Sequence, residues 1–251
     1  MVGHKCIWMC LGVGLSLAAH GEGSLITLKL SRSLSQPMTE IRFVDRELDQ
    51  SVSTSRYLVF GEKLRVDYGR DEQGFILFDR AKNIVWHVSP TDRRLTGFVP
   101  DAVRNALPND WKVSRESMAS DGGALVQVRL NGKLCVEYKA MPMLKNESHL
   151  IADYRRALAG RQARAWMATP ESMRDPCSLV LDTQMAGVEF SQGFPLAARY
   201  WDGRTRIFQG HEQLPQRPEL FELPKGYFRS MVGKEGQEKE MSRQPLSSHS
   251  R

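Results

Sequence analysis

Residues 64–88 read LRVDYGRDEQGFILFDRAKNIVWHV, and this stretch decides the fold. Leu64, Val66 and Tyr68 alternate with Arg65 and Asp67, so one side of the run is apolar and the other polar, and Gly69 ends it. A period of two is the mark of a half-buried strand. Phe75-Ile76-Leu77-Phe78 follows, then a polar turn from Asp79 to Asn83, then Ile84, Trp86 and Val88 alternating with Val85 and His87. The last two runs predict a hairpin, and the three together predict an antiparallel meander.

Outward from this stretch the pattern persists. Leu25 to Leu30, Ile41 to Leu48, Tyr57 to Phe60 and Arg94 to Val99 all read as short strands. Pro100 and Pro108 bound a short helix over Asp101 to Ala106. Ala124 to Leu130 and Leu134 to Tyr138 then flank Asn131-Gly132, the strongest hairpin signal in the chain. A two-residue loop would scatter the apolar side chains over both faces. A three-residue loop with a glycine bulge sets Leu130 opposite Leu134, Val128 opposite Val136 and Val126 opposite Tyr138, which makes one buried face continuous and is preferred. It also turns Cys135 to the opposite face.

Further along, His149 to Met167 is rich in Ala, Arg and Leu, with Ile151, Tyr154, Leu158 and Ala165 at helical spacing. Cys177 to Met185 reads either as a second helix or, through Leu179-Val180-Leu181, as a strand. Asp202-Gly203 turns a hairpin between Ala197–Trp201 and Arg204–Gln209. Residues 218–227 form an extended closing segment, because Pro218 and Pro224 exclude a helix. From Gly233 onward Lys, Glu, Gln and Ser dominate, and a disordered tail over 233–251 is expected. The expected fold class is therefore α+β, mainly antiparallel β, as a single domain over residues 24–228.

Ahead of that domain, residues 1–21 resemble a secretory signal peptide: Lys5 provides the positive start, and Cys6 to Ala19 carries no charge. Cleavage after Ala19 and cleavage after Gly21 both fit. The apolar run falls short of the roughly 20 residues a membrane-spanning helix needs, so an exported chain with no transmembrane span in its mature form is expected over a permanent anchor. About 230 residues would remain, enough for one large domain. The formal charge of +6 would fall to +5 with the loss of Lys5. Such a mild balance suits an ordinary solvated surface or contact with anionic lipid or glycan, and nucleic acid is not an expected partner.

Cys6 and Cys10 would leave with the signal, so Cys135 and Cys177 would be the only pair in the mature chain. In an oxidising compartment, periplasmic or secreted, the default is a disulfide; two buried thiols or a redox couple are the alternatives. No Gly-x-Ser-x-Gly, His-Glu-x-x-His, phosphate loop or Gly-x-Gly-x-x-Gly occurs. His87, His149, His211 and His249 stand at no metal-ligand spacing. No catalytic residue, metal or cofactor is expected, and Glu137 with Asp182 is only the kind of carboxylate pair any β domain supplies. Arg155, Arg156, Arg161 and Arg164 concentrate positive charge on the long helix, as a basic face or as a solvated surface. Asn146-Glu147-Ser148 matches a glycosylation acceptor.

The order of elements resembles the periplasmic lipoprotein-carrier superfamily (LolA/LolB-like) and related exported bacterial proteins. The carrying runs are Leu64–Tyr68, Gly74–Asp79 into Ile84–Val88, and Leu220-Phe221-Glu222-Leu223-Pro224-Lys225-Gly226-Tyr227, so the resemblance spans about residues 40 to 228. It implies a strongly curved, incomplete barrel with an apolar concave face closed by helices, and lipid or a lipidated protein as ligand. The chain departs from the carriers in its strand-like start, its cysteine pair and its long helical insertion. The resulting expectation is a non-enzymatic periplasmic domain holding a lipid-like group against Leu64, Val66, Tyr68, Phe75, Leu77 and Trp86. The alternative is a cell-envelope protein–protein interaction or structural module without a small ligand.

Overall fold

A computed structural model describes residues 37–101, 107–233 and 238–241, the last four by backbone alone. The predicted signal peptide, the strand at Leu25–Leu30, most of the helix at Asp101–Ala106 and most of the tail lie outside the described residues. The elements below all belong to the unit Ser35–Arg251.

Among the described residues thirteen strands form one open sheet in the order β13-β12-β6-β5-β4-β3-β2-β1-β11-β10-β9-β8-β7. The first six are β1 (Met38–Arg46), β2 (Val52–Phe60), β3 (Lys63–Asp67), β4 (Phe75–Asp79), β5 (Ile84–Ser89) and β6 (Arg94–Phe98). They pair with their chain neighbours, as the alternating pattern predicts. Next come β7 (Val113–Ser120), β8 (Gly123–Leu130) and β9 (Lys133–Met141), then the helices α1 (Lys145–Ala168) and α2 (Pro176–Asp182). The strands β10 (Phe194–Tyr200), β11 (Thr205–Leu214), β12 (Phe228–Val232) and β13 (Glu238–Met241) complete the sheet. All pairs are antiparallel except β12 with β6, and β11 joins β1 to close the two halves into one sheet. The sheet thus continues past residue 228, where the sequence pattern sets the end of the domain.

Both faces of the meander are covered. Leu64, Phe78, Val85 and Phe98 share one apolar cluster with Ile41, Phe43, Tyr57 and Phe194, and α1 completes it with Leu150, Ile151, Tyr154 and Ala157. On the reverse face Leu58, Phe75, Leu77, Val88 and Leu95 pack with Leu220 and Phe221. This explains the unbroken apolar run Phe75–Phe78: alternate residues are buried on opposite faces. It also corrects the half-buried reading of β3, because Arg65 and Asp67 are each only 2% exposed beneath the 217–221 segment. That segment is not wholly extended. Pro218–Phe221 makes one 3₁₀ turn with Pro218 at its first position, where a missing N–H costs nothing.

The Asn131-Gly132 hairpin keeps part of the expected register. Val126 faces Tyr138 and Val128 faces Val136, as predicted, but Leu130 faces Lys133 rather than Leu134. The loop has two residues, with Asn131 at φ 50° and Gly132 at φ 82°, the left-handed pair a tight hairpin turn requires. The extra residue is Cys135, bulged out of β9 between Leu134 and Val136. The bulge corrects the expected placement of Cys135: it joins the cluster of Val126, Val128, Val136 and Tyr138, together with Cys177 and Val180 of α2. Cys135 and Cys177 are disulfide-bonded with Cα atoms 5.3 Å apart, as expected in an oxidising compartment. No described helix is long and apolar enough to cross a membrane.

Candidate binding cleft

The strands β1, β2, β3, β10 and β11 and both helices surround an open cleft of about 750 Å³. Its floor is built by register: Asp45 stands directly opposite Arg206 and Tyr57 opposite Val66, and all four line the cleft with Tyr200. An irregularity between Arg42 and Phe43 sets this phase, so that Arg206 points to the same side as the apolar cluster beneath α1.

Most charges in the cleft are already matched. Arg206 donates to Asp45 through Nε at 2.6 Å and Nη2 at 3.2 Å, and through Nη1 to the Tyr57 hydroxyl at 3.4 Å. Ser55 donates to the same carboxylate at 2.8 Å. Arg155 lies 3.2 Å from Asp182 and 3.3 Å from Glu189. Arg204 pairs with Asp202 at 2.7 Å and lies over the rings of Tyr200 and Trp201. Asp67 accepts from Arg56 and Arg65 on the reverse face.

Burial and pairing pull on these groups in opposite directions. Burial works against the charge on Arg155, but Glu189 and Asp182 outweigh it and hold the guanidinium ionised. Arg206 is held ionised in the same way, against burial, by Tyr57 and Asp45. Glu189 goes the other way: burial raises its pKa more than Arg155 lowers it. Burial likewise raises the Tyr200 hydroxyl.

Behind this floor lies a smaller apolar cavity of about 80 Å³ between Glu189 and Phe190 of the 3₁₀ turn Val188–Gln192, the helices and the sheet. It shares Tyr57, Arg155, Leu181, Tyr200 and Arg206 with the outer cleft. Val128, Val136, Ile151 and Met185 line it, as does Tyr138, which is 3% exposed and whose hydroxyl has no hydrogen-bond partner.

The structure does not bring together the six residues expected to line a ligand face. Leu64 and Val66 lie in the cluster beneath α1, with Leu64 fully buried. Phe75, Leu77 and Trp86 lie in the cluster on the reverse face. Tyr68 is 70% exposed on the wall of the cleft, where Val66 and Phe75 also contribute. His87 lines the cleft as well. His211 stacks on Phe208. The helix arginines do not form a free basic face: besides Arg155, Arg156 pairs with Asp153, Arg164 pairs with Asp101, and Arg161 lies over the Phe98 ring. Glu137 accepts from Gln127 at 2.6 Å while Asp182 serves Arg155, so the two carboxylates have separate partners. Among the described residues no group of His, Cys, Asp and Glu side chains is placed to hold a metal. Sequence reasoning missed Asp45, Tyr57, Tyr200 and Arg206, which are far apart in the chain and meet only through the pairing of β1 with β11.

No family model and no curated protein matches the sequence. Among solved structures, "Structure of PNGF-II in C2 space group" is similar at a TM-score of 0.39 and 8% identity, over 78% of this chain and 31% of that one. "Structure of PNGF-II in P21 space group" gives 0.38 and 7% over the same shares. The chain thus spans about a third of those structures, and a likeness this slight carries no argument about fold or function.

Proposed function

We propose that this chain is an exported, non-enzymatic binding domain whose cleft takes a neutral saccharide. The observation that carries the proposal is the pairing of the cleft's charges. Arg206 with Asp45, Arg155 with Asp182 and Glu189, and Arg204 with Asp202 leave planar groups fixed in place, with spare lone pairs and N–H donors but little uncompensated charge. Such an array suits hydroxyl groups, which both donate and accept, better than an ion that would have to break a pair. Ser53, Ser55, Gln73 and Thr205 add further polar partners. Exposed Tyr68 with Trp201 provides ring faces on which the C–H side of a sugar can stack.

The disulfide supports an oxidising setting, periplasmic or secreted. We take the open sheet to be a strongly curved, incomplete barrel with the helices inside its concavity, supported by the single cluster that joins β1 to β6 and β10 to α1. An acyl chain, the ligand class implied by the carrier resemblance, finds less room there, because α1 fills that face with its own side chains and the apolar cavity left over is only about 80 Å³.

Titration of the full chain with neutral glucose oligosaccharides, followed by tryptophan fluorescence and calorimetry, is expected to saturate. Tyr68→Ala should weaken binding about fivefold or more by removing a stacking face, with no change in Tm because the ring is already in solvent. Silence toward every neutral saccharide, with saturating uptake of a fluorescent fatty acid, would replace the saccharide with a lipid.

A further inference from the structure

Among the described residues the sheet ends on β7 at one side and on β13 at the other. β13 is short, four residues of sequence Glu-Lys-Glu-Met, and a short charged strand is a common way to blunt a sheet edge. β7 is different. It runs for eight residues, Val-Ser-Arg-Glu-Ser-Met-Ala-Ser, without proline and without a register shift against β8, and Ser114 to Ala119 are exposed. An uninterrupted edge of this kind is a template for a further strand.

The backbone groups of β7 alternate in direction, as in any antiparallel strand. At its start the Lys112 carbonyl accepts from the Asn131 N–H at 2.8 Å, on the β8 side. At its end Ser120 and Gly123 close a two-residue turn, with Asp121 at φ 33° and Gly122 at φ 76°, so that this pair bonds across the two strands as well. The alternate residues between them, Ser114, Glu116 and Met118, therefore bond to β8. Val113, Arg115, Ser117 and Ala119 turn their N–H and C=O groups to the outer edge, where no described strand meets them.

We propose that this edge joins a second copy of the chain, β7 against β7, antiparallel about a two-fold axis. The symmetry leaves few registers, because facing residues must point to the same side of the sheet and outward groups must meet outward groups. Of the two registers that overlap most of the strand, one sets Glu116 directly against the partner's Glu116, which like charge disfavours. The other centres on Ser117. It sets Ser117 against the partner's Ser117, Arg115 against the partner's Ala119 and Glu116 against the partner's Met118, so no like charges stand opposed. The outward groups of Arg115, Ser117 and Ala119 then form about six hydrogen bonds, two from each of three pairs. Ala119 is small, so the 2.8 Å hydrogen bond from Arg115 to the Ser191 hydroxyl persists. One strand pair is a small contact beside the roughly 800 Å² per partner of a standard interface, so the dimer is weak and reversible. It is independent of what the cleft binds.

Sedimentation equilibrium of the full chain tests the pairing: from about 5 to about 500 µM the weight-average mass is expected to climb from that of one chain towards that of two. Ser117→Pro removes an outward N–H and none that bonds to β8, so Tm should hold while association weakens at least about tenfold. Charge at position 119 reads the register. Ala119→Arg faces the partner's Arg115 and should weaken association about fivefold, whereas Ala119→Glu faces the same guanidinium and should tighten it. Both changes fall on an exposed residue, so they decide the matter even where Ser117→Pro lowers Tm. A single-chain mass at every concentration, a dimer unmoved by Ser117→Pro, or the same shift for Ala119→Arg and Ala119→Glu overturns the pairing.

Discussion

Asp45 and Arg206 stand directly opposite one another on adjacent antiparallel strands, 161 residues apart in the chain, and are joined by two hydrogen bonds. The pair is partly shielded, with the Asp45 side chain 15% and the Arg206 side chain 33% exposed. Arg206 also lies over the Phe43 ring, 5.3 Å from its centre. One contact thus fastens the seam between the two halves of the sheet and forms the floor of the cleft.

Removing either partner leaves the other half-buried and unmatched. Arg206→Met and Asp45→Asn are each expected to destabilise the fold by about 1–2 kcal/mol, less than a fully buried pair because water screens part of the interaction. A double-mutant cycle in urea should return a coupling near ~1 kcal/mol. Additive losses would mean that the pair contributes nothing to the seam.

Acid should open the reverse face first. Burial pushes the Asp67 pKa up, but hydrogen bonds from Arg56, the Gly69 N–H and Arg65 outweigh it and hold the carboxyl below its ordinary 3.8. Because the folded value is depressed, the stabilisation is complete above 3.8 and is lost as pH falls through the folded value. Urea unfolding should therefore weaken below about pH 4. Asp67→Asn should be less stable at neutral pH and show a shallower acid slope. Some slope should remain, since Arg56 also holds Asp71 low.

Reduction should act mainly through α2. The disulfide links residues 42 apart, and in the chain-entropy model opening such a loop costs about 4 kcal/mol. Dithiothreitol is expected to lower Tm and to speed amide exchange over Pro176–Asp182, while β3 to β6 stay protected. An unchanged Tm would show that the packing of Val180 against the sheet suffices alone.

Gly97 lies under the Trp86 ring, its partner across β5 and β6. A Cβ at that position would approach the ring to 2.6 Å and the Met231 sulfur to 2.7 Å. Gly97→Ala should force both side chains out of place and destabilise by about 1–3 kcal/mol, read as a drop in urea midpoint. Neutral behaviour would mean that Trp86 is not anchored in the reverse-face cluster.

Much of the sheet is legible locally, because strand alternation and turn chemistry act over a few residues. The meander from β2 to β6, the Asn131-Gly132 turn and the Asp202-Gly203 turn all emerge that way. The bulge at Cys135 does not: Leu134 is apolar and by local pattern belongs on the buried face, yet the two-residue turn and the bond to Cys177 fix the register instead. β7 escapes notice because its residues are exposed on both faces and carry no alternation. Arg65 and Asp67 read as a solvated face, since nothing nearby reveals that residues 217–221 will cover them. The cleft is the least legible part, as its floor depends on which distant strands pair.

The central claim is that a neutral saccharide binds in the cleft floored by Asp45 and Arg206. Amide chemical-shift mapping of the isotopically labelled full chain during titration with a neutral glucose oligosaccharide tests it most directly. The account predicts saturable shifts clustered at Ser53, Ser55, Tyr68, Gln73 and Thr205. Shifts confined to Leu77, Trp86 and Leu95 on the reverse face, or no shifts at all, would contradict it.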